Sequence, residues 1–219
     1  MTGLLGRTLA EFAGTTLLVS VVVGSGIMGS NLSQDLGVTL LINAFSTIFA
    51  LAILIYSLAP ISGAHFNPVV SLVELFKGEL RSLQALAYVL AQVVGAICGS
   101  ILANLMFDQI AFQVSTHSRF TLGTFLGEVI ATAGLICIIG LMIFRNSQPQ
   151  IPVAVAAWIG SAYFFTSSTS FANPAVTVGR MFTNTFAGIA PDSVLPFIGA
   201  QLVGAFLGVL LSKGINNVR

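Results

Sequence analysis

Charge is what this sequence has least of: 7% of its 219 residues are Asp, Glu, Lys or Arg, where a soluble domain carries roughly 25%. So few charges cannot clothe a water-facing surface, which excludes an ordinary soluble globular protein. The net charge of +1, with no basic tract, excludes a nucleic-acid partner. Cysteine is nearly absent too. Cys98 and Cys137 both fall in apolar stretches with no second ligand beside them, so they read as small buried hydrophobes, and neither a disulfide nor a metal site is indicated. No nucleophile with a neighbouring base falls in these stretches either, so the sequence predicts no enzyme and no cofactor.

What is present is apolar length, with 56% of residues hydrophobic. A membrane-spanning helix needs about 20 largely apolar residues, and six stretches qualify, at approximately 8–30, 38–58, 82–106, 119–144, 151–169 and 194–212. They fill most of the chain, which predicts a single membrane domain over 1–219. The first stretch is too long for a signal-peptide core and carries Glu11, so it is expected to stay as a helix. With the N-terminus in the cytoplasm, Arg7, Lys77, Arg81, Arg145, Lys213 and Arg219 lie inside and only Arg119 and Arg180 outside. That positive-inside bias predicts two cytoplasmic termini.

The chain also repeats itself. AEFAGTTLL from Ala10 matches GEVIATAGL from Gly127, pairing Glu11 with Glu128 and Thr15 with Thr132. HFNPVVS matches FANPAVT, pairing Asn67 with Asn173 and Pro68 with Pro174. AQVVGAICG from Ala91 matches AQLVGAFLG from Ala200. Units of about 1–110 and 119–219 each hold three spans, an odd number, so the second must cross the membrane with opposite polarity. Such inverted repeats place a solute pathway at their interface, built from discontinuous helices. Gly95 with Gly99, Gly204 with Gly208, and Gly123 with Gly127 are spaced as small-xxx-small pairs, which allow close helix approach.

Two apolar segments, about 67–78 and 173–182, are too short to cross the bilayer. Asn is a strong N-cap and Pro suits the first helical position, so each Asn-Pro reads as a helix start. The extended residues before them, 62–66 and 168–172, are tolerable at membrane depth only where they line a water-filled path. The fold predicted is therefore all-α, with six transmembrane helices and two re-entrant half-helices.

The run ISGAHFNPVVS, the second Asn-Pro-Ala in the opposite half and the matched Glu and Ala-Gln-x-x-Gly-Ala elements together resemble the aquaporin family across essentially the whole chain. The resemblance implies a passive channel for small uncharged solutes in the inner (plasma) membrane, assembled as a homotetramer with one pore per subunit. It implies that the half-helices abut at the midplane, with Asn67, Pro68 and Val69 on one side and Asn173, Pro174 and Ala175 on the other. Val69 stands where the family usually has Ala. Their N-terminal dipole ends disfavour cations there. The carbonyls of Gly63, Ala64 and His65, and of Thr169, Ser170 and Phe171, are expected to form an acceptor track for a solute that the Asn amides also bind.

An intramembrane carboxylate is a functional candidate by default. Glu11 and Glu128 are read as braces of the re-entrant loops, as the resemblance implies, because a proton-coupling site need not be duplicated. The family's outer constriction falls, by its usual spacing, on Thr47, Ser161, Ser170 and Val176, with no aromatic and no arginine among them. A widened, uncharged filter of that kind suits glycerol-like polyols and metalloid hydroxides such as arsenite as well as water. The alternatives are an orthodox water channel or a secondary transporter. Arg180, four residues past Val176, is expected near the outer vestibule, or else paired at the rim with Asp192 or solvent.

Overall fold

In lipid a backbone satisfies its own polar groups by coiling into helices, and the uncharged runs of this chain do so. The computed structural model describes residues 3–217. Arg219, one of the cations assigned to the cytoplasmic side, lies outside the described residues. The long helices are α1 (Leu4–Leu32), α2 (Leu36–Ser62), α4 (Ser82–Met106), α5 (Leu122–Phe144), α6 (Ile151–Phe165) and α8 (Pro191–Asn216). Two short ones, α3 (Pro68–Phe76) and α7 (Pro174–Arg180), lie between them. Caps set several boundaries: Asp35 Oδ1 accepts from the amides of Gly37 and Val38 at the start of α2, and Thr121 and Thr124 form a reciprocal capping box at the start of α5.

The distribution of side chains is that of a membrane protein. Leu9, Phe49, Ile53 and Phe206 are exposed, whereas Glu11, Gln92, Asn104, Glu128 and Gln201 are completely buried. Among the described residues, five helices are long and apolar enough to span a bilayer. The sixth, α6, has 15 residues, which at 1.5 Å each covers about 22 Å of a core near 30 Å. A 3-10 turn at Gln148–Gln150 leads into it. Its span was expected to reach 169. It stops at Phe165 because Thr166 folds its hydroxyl back onto the Ala162 carbonyl (2.7 Å), and the serine-rich run beyond hydrogen-bonds locally, with Ser170 N donating to Ser168 Oγ (3.2 Å).

The inverted repeat is visible in the packing: α1 lies along α4 as α5 lies along α8. Glycines permit both approaches. A Cβ on Gly99 would fall 2.5 Å from the Thr16 carbonyl oxygen, and one on Gly208 would fall 2.5 Å from that of Ala133. Gly95 and Gly204 meet Phe12 and Val129 in the same way. The third expected pair behaves otherwise. Gly127 abuts Ser168 in the loop after α6, and Gly123 has only ordinary contacts with Thr121 and Ser167, so this pair admits a loop and not a helix.

Candidate functional site

Each half of the molecule contributes one re-entrant turn. The first leaves α2 at Gly63 (φ 93°) and holds Ala64 (φ 50°) and Phe66 (φ 49°) in left-handed backbone; the second does so at Thr169 (φ 61°), Ser170 (φ 52°) and Ala172 (φ 48°). Such conformations in non-glycine residues cost of order 1–3 kcal/mol each and persist only where the surroundings fix them.

Two buried glutamates fix them. Glu11 accepts from His65 N (3.0 Å), Phe66 N (2.7 Å), Ser62 Oγ (2.6 Å) and Gln92 Nε2 (2.8 Å). Glu128 accepts from Phe171 N, Ala172 N (both 2.8 Å) and Gln201 Nε2 (2.6 Å). Gln92 and Gln201 each also donate to a half-helix hydroxyl, Ser71 Oγ and Thr177 Oγ1. Charge-assisted bonds of this kind are the strong ones. They occupy two N–H groups of each loop, those of His65 and Phe66 and those of Phe171 and Ala172.

The Asn-Pro dipeptides start α3 and α7. Asn67 Oδ1 accepts from Val69 N (3.1 Å), and Asn173 Oδ1 from Ala175 N (2.9 Å) and Val176 N (3.2 Å). Each amide then crosses to the other half: Asn67 Nδ2 donates to the Ala172 carbonyl and Asn173 Nδ2 to that of Phe66, both at 2.8 Å. One N–H of each Nδ2 is used there. Val69 is fully buried against Val73, Ile136 and Ala205, so its extra bulk relative to Ala goes into packing. Pro68, Pro174 and Ala175 are buried behind the wall.

Asn67 and Asn173 stand on the wall of a cavity of about 560 Å³. Toward one end it is lined by Gly63, Ala64, His65 and Glu74, and toward the other by Thr47, Ser170, Phe171 and Val176. The opposite wall is apolar, and repeat-related residues share it: Leu18 with Leu135, and Val22 with Ile139. Glu74, near the α3 end, pairs with Lys77 (2.9 Å). His65 Nδ1 lies 3.0 Å from Ser71 Oγ, and its ring packs edge-on to Tyr88.

The expected positions do not all reach this wall. Ser161 is exposed on the outer face of α6, its hydroxyl bonded to the Ala157 carbonyl. The α6 residues that do line the cavity are Pro152, Val155, Ile159 and Tyr163. Ser161 is two residues from either of the last two, about 200° around the helix, and so faces away. Thr169 is likewise off the wall, and Ala172 stands there with Ser170 and Phe171.

Arg180, expected near the outer vestibule or paired at the rim, stands at the α7 end of this cavity. It is buried, with 3% of its surface exposed, and it lines the cavity. Its guanidinium lies 3.5 Å above the centroid of Phe171, and Nε donates to the Ala187 carbonyl. Helical side chains lean over the preceding turn, so Arg180 covers the region above Val176. No pair with Asp192 forms; that carboxylate accepts from Ser118 and Ser193.

The model of the major intrinsic protein family, the aquaporins, matches residues 2–168. The chain belongs to this family. It is 45% identical over 207 residues to aquaglyceroporin AqpS of Rhizobium meliloti, covering 94% of this chain and 88% of that one. It is 30% identical to the glycerol uptake facilitator protein of Pseudomonas aeruginosa, covering 96% and 87% respectively. The solved structure of the aquaglyceroporin from Plasmodium falciparum has the same fold, with a TM-score of 0.73 at 21% identity over 99% of this chain and 97% of that one. As a member of the major intrinsic protein family, the chain is a multi-pass membrane channel and not an enzyme.

Proposed function

We propose that the chain is a passive channel for small neutral solutes, conducting glycerol-like polyols, metalloid hydroxides such as arsenite, and water. The observation that carries this reading is the cavity in which the two Asn amides meet, with loop backbone on one side and aliphatic side chains on the other. A polyol turns its hydroxyls to the amides and carbonyls and its carbons to the Leu18, Val22, Leu135 and Ile139 wall, replacing hydration with protein contacts. An ion finds no comparable replacement. The names of the relatives, an aquaglyceroporin and a glycerol facilitator, point the same way.

Within this reading Asn67 and Asn173 are the central donors, the two loops supply acceptors, and Glu11 and Glu128 brace the loops. The positions where the family usually carries a ring and an arginine hold Thr47 and Val176, which is the reason for including solutes bulkier than water. The pore forms one domain over 1–219, works as a homotetramer and has both termini in the cytoplasm. The test is swelling of proteoliposomes under gradients of glycerol, erythritol, arsenite and water. Flux of all four supports the reading; flux of water alone would return it to an orthodox water channel.

A further inference from the structure

The positions at which the family's spacing puts the filter leave an odd arrangement of polar groups unexplained, all toward the α7 end of the cavity. Tyr163 is 3% exposed and lines the cavity, with its hydroxyl 3.1 Å from Thr47 Oγ1. Thr47 Oγ1 already donates to the Asn43 carbonyl (2.8 Å), so its single hydrogen is taken and Tyr163 is the donor of that pair. Ser170, 4% exposed and also on the wall, has a buried hydroxyl oxygen with no hydrogen-bond partner among the described residues. An orphaned buried hydroxyl is costly, at about 1–3 kcal/mol, unless something passing through satisfies it.

Arg180 completes the group. It lines the same cavity as Tyr163. Arg119 sits behind it and uses Nε on the Gly188 carbonyl and Nη2 on that of Phe186 (both 2.6 Å). Arg180 takes only the intervening Ala187 carbonyl, through Nε. Both of its amino groups are without a protein acceptor among the described residues, and no carboxylate pairs with it. The ring beneath is held in turn, because Phe197 packs edge-on to Phe171 at 5.1 Å. The guanidinium is therefore a fixed group with donors to offer the cavity.

We infer that the selectivity filter of this channel is built from Tyr163, Ser170 and Arg180 with Thr47, so that the ring comes from α6 and the guanidinium from one turn beyond Val176. The inference rests on the channel reading above and names its specificity-determining residues. Tyr163 sets the width. Ser170 and Arg180 recognise a hydroxyl-bearing neutral solute, whose oxygen accepts from the guanidinium while its O–H donates to Ser170 Oγ, that side chain turning about its Cα–Cβ bond to face the cavity. The positive charge repels cations.

The test is stopped-flow swelling of proteoliposomes with glycerol and the five-carbon polyol xylitol, water permeability being measured on the same vesicles. Tyr163→Ala is expected to raise the xylitol-to-glycerol flux ratio at least about fivefold. Ser170→Ala is expected to lower the glycerol-to-water ratio about fivefold, the rate factor of one neutral hydrogen bond. Ser161→Phe, on the outer face of α6, leaves both ratios within about twofold. Tyr163→Leu keeps an apolar filling but loses the ring, so it is expected to raise the xylitol-to-glycerol ratio at least about twofold even if the alanine variant does not insert. The inference is overturned if the wild type conducts glycerol and neither the Tyr163 nor the Ser170 variants move a ratio, or if Ser161→Phe narrows the pore. Absence of wild-type glycerol flux with intact water flux would instead sink the polyol-conducting reading on which it rests.

Discussion

Glu128→Gln is the most informative single change in the brace. Every group bonded to Glu128 is a donor: Phe171 N on Oε1, and Ala172 N and Gln201 Nε2 on Oε2. Glutamine has the same shape but replaces one acceptor oxygen by an NH2. Placed on the Oε1 side, that NH2 faces the Phe171 amide; placed on the other, it faces two donors. At least one buried donor is left unpaired, costing about 1–3 kcal/mol, and the remaining bonds lose the strength that charge gave them. A total of roughly 2–4 kcal/mol is expected, equivalent to a Tm decrease on the order of 5–15 °C for a chain of this size. The left-handed backbone at Ser170 and Ala172 loses its restraint at the same time. Thermal unfolding in detergent, followed by circular dichroism, reads the first effect and glycerol swelling the second. Glu11→Gln is expected to behave alike, since Glu11 is bonded to the same kinds of donor. If Glu128→Gln keeps the wild-type Tm and glycerol flux, the carboxylate does not brace the loop.

Thr47→Trp puts a ring beside Tyr163 and should reduce glycerol and arsenite flux at least about tenfold while sparing water, as compared in one swelling series. Val176→Arg adds a second guanidinium one turn from Arg180, and glycerol flux should fall severalfold relative to water in the same assay. Gly99→Leu drives a side chain into the Thr16 carbonyl, 2.5 Å from where its Cβ would sit; a loss of 1–3 kcal/mol or more is expected, read as reduced resistance to SDS unfolding.

Much of this was legible because it depends on local chemistry. Asn followed by Pro caps a helix wherever it occurs, and two such pairs at matching places in a duplicated chain fixed α3 and α7 to within a few residues. Glu11 and Glu128 declared themselves as acids at matching places in two apolar helices, and the family resemblance directed them to the re-entrant loops. Gly95, Gly99, Gly204 and Gly208 were recognisable by spacing. The constriction was less legible. Counting back from Asn173 assumes that the loop before it has the family's length and path, but α6 ends at Phe165, which turns Tyr163 inward and Ser161 out. The alternation of Ile159 and Tyr163 at helical spacing was the available signal, and it was weak in a helix apolar on nearly every side. For Arg180, spacing along α7 says which face a residue occupies and not how far its side chain folds back, so its seat over Phe171 was not legible.

The central claim is passive conduction of a neutral solute through the pore between the repeats, and stopped-flow glycerol uptake into proteoliposomes tests it most directly. The account predicts an initial rate that rises linearly with the glycerol gradient, is unchanged by an imposed pH gradient in either direction, and is abolished when Asn67 and Asn173 are both replaced by bulky Phe. Saturation at low concentration, or glycerol accumulated against its gradient when a pH gradient is applied, would contradict it.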